Sequence, residues 1–283
     1  MDSIVFIDFT KNYGNFTAVD HINLNVQSGT ITGFIGKNGA GKSTTLRAMV
    51  NILSPTYGKI LINGLDSVKK AKEIKHFLSY MPSDAAFYEN VTACDLFRLC
   101  AKFNGIDFHR ALNLAEYFEL NIHKKISALS LGNRKKVSII QAFMKDSKLF
   151  VMDEPTSGLD PFMQEKFFHH LLERKKQGAT FFLSSHNLGE IEKYCDQAVI
   201  IKSGKIVDQI DIKSAQIKKK QIVSYVTADG VSRKFTYDGQ VNDLIAKLAD
   251  LDLKSVEIKS ASIEEDFTRY YENDRKDEDA SNA

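Results

Sequence analysis

The chain has 283 residues, of which 43% are hydrophobic and 26% charged, a balance typical of a soluble globular protein with one or two domains. Its 38 Lys and Arg residues against 36 Asp and Glu leave a net charge of +2, which argues against a nucleic-acid-coating protein, so we expect no nucleic-acid partner. No apolar run approaches the ~20 residues of a membrane-spanning helix. The N-terminal sequence lacks a signal-peptide pattern, and three cysteines are too few for a disulfide framework.

The first third of the chain alternates apolar, β-branched runs with turns. Strands are therefore predicted at 4–9, 22–26 and 30–35. A glycine-rich segment follows the third strand and leads into a helix predicted over 43–53, before a hairpin edge at 59–64. From 91 to 145 the apolar residues recur at helical spacing instead, which predicts an inserted helical region.

Short buried strands return in the second half of the chain. They are expected at 149–152, 180–183 and 198–201, with a helix at 188–194 between the last two. This alternation favours a parallel sheet covered by helices. After a lysine-rich joint, a hairpin around Asp229-Gly230 and helices at 241–248 and 263–271 predict a small α+β unit. The acidic residues from 272 onward predict a disordered tail.

A complete G-x-x-x-x-G-K-[ST] motif lies between the third strand and the first helix. Its residues are Gly36, Lys37, Asn38, Gly39, Ala40, Gly41, Lys42 and Ser43, and Thr44 follows in the helix. Glycines let backbone N–H groups turn inward around an anion, and the helix adds its positive N-terminal end. Lys42 then reaches the β- and γ-phosphates, and the Ser43 hydroxyl binds Mg²⁺. The alternative, a plain glycine turn that caps a helix, explains less of this pattern.

Two carboxylates end the buried strand at 149–152. The tip of a parallel strand places Asp153 at the carboxyl edge of the sheet, where ligands bind in open α/β folds. Asp153 is the expected second magnesium ligand, and Glu154 the general base that polarises the attacking water. Taken alone, two acids at a strand end are an ordinary solvated edge; the phosphate loop is what favours the functional interpretation.

Further motifs identify a family resemblance. The segments 129–133, 155–160 and 184–186, in that order around the carboxylates, closely resemble the ATP-binding subunits of ABC transporters over residues 2–212. The resemblance implies that Ser130 and Gly132 belong to a signature loop and that Asp160 ends the D-loop. It also implies that His186 is the switch histidine and that Tyr13 stacks on adenine. His169 and His170, by contrast, are interpreted as surface residues of a charged helix.

The resemblance also implies partners. In this family two cassettes enclose two ATP molecules head to tail, each signature loop facing the other subunit's phosphate loop. The pore is expected to be a separate transmembrane permease whose cytoplasmic helix docks beside 77–88. This implies a cytoplasmic protein, peripheral on the inner face of the membrane. The C-terminal unit resembles the tail of drug- and peptide-export ATPases, which favours export and suggests a dimerisation or regulatory role for that unit.

Two departures from the family pattern leave alternatives open. Leu131 stands where the signature has its first glycine, with Asn133 in place of glutamine, and Ser83 stands where a loop glutamine is usual. A catalytically weak regulatory cassette of a heterodimer is therefore one alternative, and a non-transport ABC ATPase is another. A GTPase is disfavoured because no Asn-Lys-x-Asp motif is present.

The sequence thus predicts an α/β phosphate-loop NTPase of the ABC cassette type, with an inserted helical subdomain and a small C-terminal α+β appendix. The predicted domains are a cassette at 1–212 (helical subdomain about 91–146), an accessory domain at 213–271 and a tail at 272–283. The predicted activity is ATP hydrolysis that powers transport, with ATP and Mg²⁺ as the ligands.

Overall fold

A computed structural model describes residues 2–88, 90–217 and 221–260. The predicted helix at 263–271 and the predicted acidic tail lie outside the described residues. The chain divides into two compact units, Met1–Gln209 and Ile210–Ala283.

Two sheets organise the first unit. Its strands are β1 (Asp2–Tyr13), β2 (Phe16–Gln27), β3 (Ile31–Ile35), β4 (Tyr57–Ile62), β5 (Leu65–Asp66), β6 (Leu78–Met81), β7 (Leu149–Asp153), β8 (Thr180–Ser185), β9 (Gln197–Lys202) and β10 (Lys205–Asp211). Four strands form an antiparallel sheet in the order β2-β1-β4-β5. The other six form a sheet in the order β10-β9-β3-β8-β7-β6, in which β9, β3, β8, β7 and β6 run parallel.

Seven α-helices accompany these strands in the described part of the first unit. They are α1 (Lys42–Met49), α2 (Ala71–Phe77), α3 (Ala93–Asn104), α4 (His109–Tyr117), α5 (Leu131–Phe143), α6 (Pro161–Lys176) and α7 (Leu188–Tyr194), with a short 3₁₀ helix at Ile126–Ala128. Side-chain caps explain where four of them begin, because each cap accepts a hydrogen bond from an otherwise unpaired backbone N–H. The capping residues are Thr92, Ser130, Asp160 and Asn187.

The core of the first unit lies between the two sheets and around the helices. Phe6 and Phe34 from different sheets both pack against Phe182, with ring centroids 6.4 and 5.2 Å away. Phe150 stacks on Phe181 at 4.8 Å on neighbouring strands. All five parallel strands are buried along most of their length, which explains their continuous apolar sequences.

The parallel strands end at one edge of the six-stranded sheet, here called the carboxyl edge. Aligned registers set Met81 beside Met152 and Asp153 beside Ser184, and Ile35 beside Ser185. The residues that leave β3, β6, β7 and β8 therefore emerge side by side. This topology brings together segments that are more than a hundred residues apart in sequence.

The second unit contains a three-stranded antiparallel sheet in the order β12-β11-β13. Its elements are α8 (Ile212–Ile217), β11 (Gln221–Thr227), β12 (Ser232–Tyr237), α9 (Val241–Ala249) and β13 (Leu253–Ser260). Val223 and Tyr225 of the sheet pack against Leu244 and Leu248 of α9. The Asp229-Gly230 turn joins β11 to β12, and Gly230 adopts a positive φ of 88° there.

The predicted α/β class is confirmed, and most predicted elements are present with shifted ends. The helix predicted to reach residue 53 ends at Met49, because Asn51 adopts the left-handed conformation with φ at 55°. Strand β6 was not predicted, since Leu78-Ser79-Tyr80-Met81 is too short to show a period. Placing His170 on the surface was wrong, because its ring lies 4.6 Å from that of Phe143 in a half-buried aromatic cluster.

Candidate active site

The phosphate loop, residues 36–43, leaves β3 at the carboxyl edge and enters α1. Glycine is required at two of its positions for different reasons. A Cβ on Gly36 would lie 2.6 Å from the Ile201 carbonyl oxygen, so the backbone passes too close for any side chain. Gly41 adopts a φ of +107°, and its Cβ would lie 2.7 Å from the Ala18 carbonyl oxygen. The loop is thus a close-packed turn against β2 and β9.

Lys42 holds its ammonium inside this loop. Its Nζ donates to the carbonyl oxygens of Gly36 at 2.6 Å and Lys37 at 3.2 Å, and the residue is only 6% exposed. Burial lowers the pKa of Lys42, whereas the charges of Glu154 and Asp153 raise it. The ammonium therefore lies in the electrostatic field of both the predicted magnesium ligand and the predicted general base.

Ser184 connects the two carboxylate residues at the end of β7. Its hydroxyl donates to Asp153 Oδ1 at 2.6 Å and accepts from the Glu154 backbone N–H at 2.9 Å. The parallel pairing of β7 with β8 sets Ser184 beside Asp153, so the contact follows directly from the register. No role for Ser184 was predicted from the sequence; its place on the strand after the carboxylate strand is the signal that would have found it.

Asp153 Oδ2 is a buried oxygen without a hydrogen-bond partner among the described residues. The residue as a whole is 1% exposed. Buried polar atoms are nearly always satisfied, so an orphaned carboxylate oxygen beside a phosphate loop fits an atom that binds a cation or its water. The Ser43 hydroxyl, at the start of α1, supplies a second hard oxygen of the type that Mg²⁺ prefers.

Glu154 and His186 face each other across the carboxyl edge. The distance from His186 Nδ1 to Glu154 Oε2 is 3.3 Å, and the histidine side chain is 65% exposed. Glu154 has a positive φ of 46°, which is strained for a residue with a Cβ. The predicted general base and the predicted switch histidine are therefore in contact.

A buried carboxylate that the sequence analysis did not identify lies behind this pair. Glu190, in the first turn of α7, accepts hydrogen bonds from Thr156 Oγ1 at 2.9 Å and from Ser185 Oγ at 3.4 Å. Burial raises the pKa of Glu190, and these hydroxyls lower it in part. Thr156 lies just after Glu154 and Ser185 just before His186, so Glu190 connects the two active-site loops.

The predicted signature loop and D-loop pack against each other within the chain. Ser130 Oγ accepts from the Asn133 N–H at 3.3 Å, and a Cβ on Gly132 would lie 3.0 Å from the Gly158 carbonyl oxygen. Leu131 is 65% exposed between them. Asp160 ends the D-loop and caps α6 by accepting from the Met163 N–H at 3.0 Å. These loops therefore present one continuous surface.

Tyr13 ends β1 at the tip of the first hairpin. It is 47% exposed, and its register partner Phe16 is 64% exposed. Ala18, two residues beyond Phe16 on β2, is the residue against which Gly41 packs. Tyr13 thus lies on the hairpin that borders the phosphate loop, with a second exposed aromatic ring beside it.

Parallel-strand architecture, a glycine loop with a buried lysine, and paired carboxylates next to a histidine together define a nucleoside-triphosphate-binding protein of the phosphate-loop class. Comparison with known proteins narrows this class. The family model described as "ABC transporter" matches residues 19–157, and one described as "AAA domain, putative AbiEii toxin, Type IV TA system" matches residues 124–192.

Relatives and a solved structure agree with the first of these matches. The chain is 35% identical over 230 residues to the bacitracin transport ATP-binding protein BcrA of Bacillus licheniformis, covering 78% of this chain and 74% of the relative. It is 33% identical over 210 residues to the probable multidrug ABC transporter ATP-binding protein YbhF of Escherichia coli, covering 71% and 36%. The solved "ATP binding subunit of ABC transporter" superposes with a TM-score of 0.70 at 29% identity, covering 76% and 92%.

The chain belongs to the ATP-binding subunits of ABC transporters. It is an ATPase subunit that powers transport, as the sequence predicted, and cassettes of this family work with membrane permeases and form dimers. Among the described residues, no helix has the length and apolar character needed to cross a bilayer.

Proposed function

We propose that this cassette binds Mg-ATP at the phosphate loop, closes on a second cassette, and drives export through a separate permease. The observation that carries the proposal is the hydrogen-bonded set at the carboxyl edge, in which Ser184 fixes Asp153 and Glu154, and His186 contacts Glu154. Each of these groups has a distinct task in phosphoryl transfer to water, and all emerge next to the phosphate loop.

Nucleotide binding is assigned to residues 36–44 together with Tyr13. The inward backbone N–H groups of the loop and the N-terminal end of α1 bind the phosphates, and the Lys42 ammonium exchanges its carbonyl partners for phosphate oxygens. The exposed ring of Tyr13 offers the adenine a flat apolar face. This division places the charged end of the nucleotide at the sheet and its base at the first hairpin.

Magnesium is assigned to Ser43 and Asp153. The orphaned Asp153 Oδ2 is the buried group that such an ion would satisfy, while Oδ1 is already held by Ser184. The bound ion would neutralise charge on the β- and γ-phosphates. The second oxygen ligand, the Ser43 hydroxyl, follows Lys42 directly at the start of α1.

Hydrolysis is assigned to Glu154 and His186. Glu154 accepts a proton from the attacking water as general base, and its backbone is strained, as is common for residues at functional sites. His186 holds this carboxylate in the described state at 3.3 Å, and its exposed ring is free to reach the γ-phosphate. Loss of the γ-phosphate then releases that contact and signals the end of the cycle.

The second cassette is assigned to the surface of Ser130, Leu131, Gly132 and Asp160. Ser130 and Gly132 provide a hydroxyl and a helix N-terminus, which suit the γ-phosphate of ATP bound to the opposite subunit. Leu131 is a large exposed apolar residue in the middle of this surface, of the kind that a partner covers. ATP therefore contributes binding energy to the closed dimer, and hydrolysis removes it.

The permease is assigned to a groove beside β6 with a volume of about 670 Å³. Apolar and aromatic side chains from several elements line it, among them Ile52, Phe87, Tyr88 and Leu96. A partner's amphipathic helix fits such a groove through its apolar face. This contact would hold the cassette at the cytoplasmic face of the membrane, and the bacitracin and multidrug relatives favour export as the direction.

The Glu154→Gln variant tests the proposal, because it should bind ATP and barely hydrolyse it. Light scattering with Mg-ATP is expected to show a shift from monomer to dimer, whereas the matched control Lys42→Ala should bind ATP poorly and stay monomeric. Failure of Glu154→Gln to dimerise despite measured ATP binding would overturn the homodimeric version. It would favour instead the second candidate, a regulatory cassette with a different partner, which the residues Leu131 and Ser83 support.

A further inference from the structure

Lys135 is a buried lysine in the second turn of α5 for which the site described above has no role. The residue is only 7% exposed, and its Nζ donates to the Ser83 carbonyl oxygen at 2.9 Å. Burying an ammonium costs free energy unless it is well paired, so a lysine at this position calls for a specific explanation. Its contact joins α5, which begins at the signature loop, to the segment that leaves β6 at the carboxyl edge.

The surroundings of Lys135 connect it with the hydrolytic carboxylates. Burial lowers the pKa of Lys135, and the negative charges of Asp84, Glu154 and Asp153 raise it. Lys42 and Lys135 therefore lie in the field of the same two active-site carboxylates, and they approach from different elements. Lys135 also lines a cavity of about 440 Å³ between residues 83–87 and the start of α5.

Lys145 makes a comparable contact at the opposite end of β6. Its Nζ donates to the Leu78 carbonyl oxygen at 3.1 Å and to the Lys75 carbonyl oxygen, and burial lowers its pKa. Lys145 thus holds the beginning of β6, and Lys135 holds the point at which the chain leaves it. Of these two lysines, Lys135 is the one beside the active-site carboxylates.

We propose that Lys135 is a positioning residue for ATP hydrolysis, which holds residues 83–84 against the carboxyl edge and keeps α5 in register with it. The proposal rests on the function assigned above to Glu154. The Ser83 side chain is short, so the clamp on its main-chain carbonyl is the described contact that fixes this segment beside the hydrolytic carboxylates. A shift of α5 toward a second cassette is thereby transmitted to the segment next to Glu154.

The test compares Lys135→Met with Lys145→Met in the full chain, because both changes remove an ammonium that donates to a main-chain carbonyl at one end of β6 and keep an unbranched side chain. Hydrogen exchange followed by mass spectrometry should show at least fivefold faster exchange at 83–88 in Lys135→Met alone. Lys145→Met should instead speed exchange near 75–78. We expect kcat to fall about tenfold in Lys135→Met with KM for ATP within threefold, and to stay within twofold in Lys145→Met. Lys135→Arg, which keeps the charge and donors, should recover most of kcat.

Three outcomes would overturn the proposal. They are unchanged exchange at 83–88 in Lys135→Met, equal loss of kcat in both methionine variants, and a rise in KM that accounts for the whole loss of activity. Should Lys135→Met fail to fold, Lys135→Gln takes its place in the same comparison. A wild-type chain that binds but does not hydrolyse ATP would contradict the assignment of Glu154, whereas the exchange comparison would still decide the clamp.

Discussion

His170 should make the first unit sensitive to mild acid. Its ring centroid lies 4.6 Å from that of Phe143 and 6.2 Å from that of Phe118, in a half-buried aromatic cluster. Burial lowers the pKa of His170 from 6.5 to about 4; the charge of Glu173 raises this pKa in part, and that of Arg174 lowers it slightly further. The folded chain thus keeps this imidazole neutral at a pH where the unfolded chain protonates it.

The sign and size of the effect follow from proton linkage. Between pH 6.5 and pH 4 the unfolded state binds more protons at His170, so the free energy of unfolding falls as the pH falls. At about 1.4 kcal/mol per pKa unit, the full effect is about 3 kcal/mol, and about 2 kcal/mol of it is already lost at pH 5. The contribution is fully present above pH 6.5 and gone below the folded pKa.

The assay compares wild type with His170→Phe, which keeps an aromatic ring and cannot be protonated. Unfolding in urea should be monitored through the hydrogen exchange of peptides from α6, because a probe within α6 reports the stability of the first unit separately from that of the second. From pH 7.5 to pH 5.0, wild type should lose about 2 kcal/mol more stability than His170→Phe. The matched control His169→Gln, at a 65% exposed side chain, should behave like wild type. Parallel loss of stability in wild type and His170→Phe would refute the reasoning.

Three further predictions concern the active site and its surface. Asp153→Asn should reduce ATP hydrolysis at least ~100-fold while binding of a fluorescent nucleotide without Mg²⁺ stays within about threefold, since Asp153 is assigned to bind the metal and not the nucleotide. Leu131→Ala should weaken the ATP-dependent dimer of Glu154→Gln about tenfold by light scattering, because about 1–2 kcal/mol of apolar burial is removed. Thr156→Val should lower the free energy of unfolding by about 1–3 kcal/mol, measured in urea, because the Glu190 carboxylate loses its shorter hydrogen bond. Thr156→Ser, which keeps the hydroxyl, should stay close to wild type.

The motif residues could be predicted from the sequence because their chemistry depends on residue type and spacing. Gly36 and Gly41 show why the glycines of the loop are fixed, since backbone oxygens from other strands lie within 2.7 Å of where a Cβ would be. The order of the strands in the sheet could not be predicted in the same way. Ser184 becomes a partner of Asp153 only because β8 pairs with β7, and nothing in the local sequence states that pairing.

The sequence around His170 contains a pattern that predicts burial, but its charged and polar neighbours favoured the opposite interpretation. Its neighbours His169 and Glu173 suggest a solvated face, but the buried residues Met163 and Phe167 lie seven and three positions earlier on α6. That spacing puts His170 on the same apolar stripe. Lys135 is the opposite case, because a lysine near the start of a helix looks solvated in any sequence. Its burial depends on the segment after β6, which comes fifty residues earlier.

The buried carboxylate of Glu190 connects the surface proposed for the second cassette with the residues assigned to ATP hydrolysis. The surface proposed for the second cassette includes Asp160, the end of the D-loop. Thr156, which directly precedes the D-loop, donates to Glu190, and Glu190 accepts in turn from Ser185 beside His186. A buried carboxylate held by such hydrogen bonds tolerates little displacement, because each lost hydrogen bond leaves an unpaired acceptor in a low-dielectric site. Movement of the D-loop on dimerisation must therefore either carry the histidine loop with it or break these bonds. Through α5 and Lys135 the signature loop has a second connection to the same edge, so we expect the proposed closure to act on the hydrolytic groups from two sides.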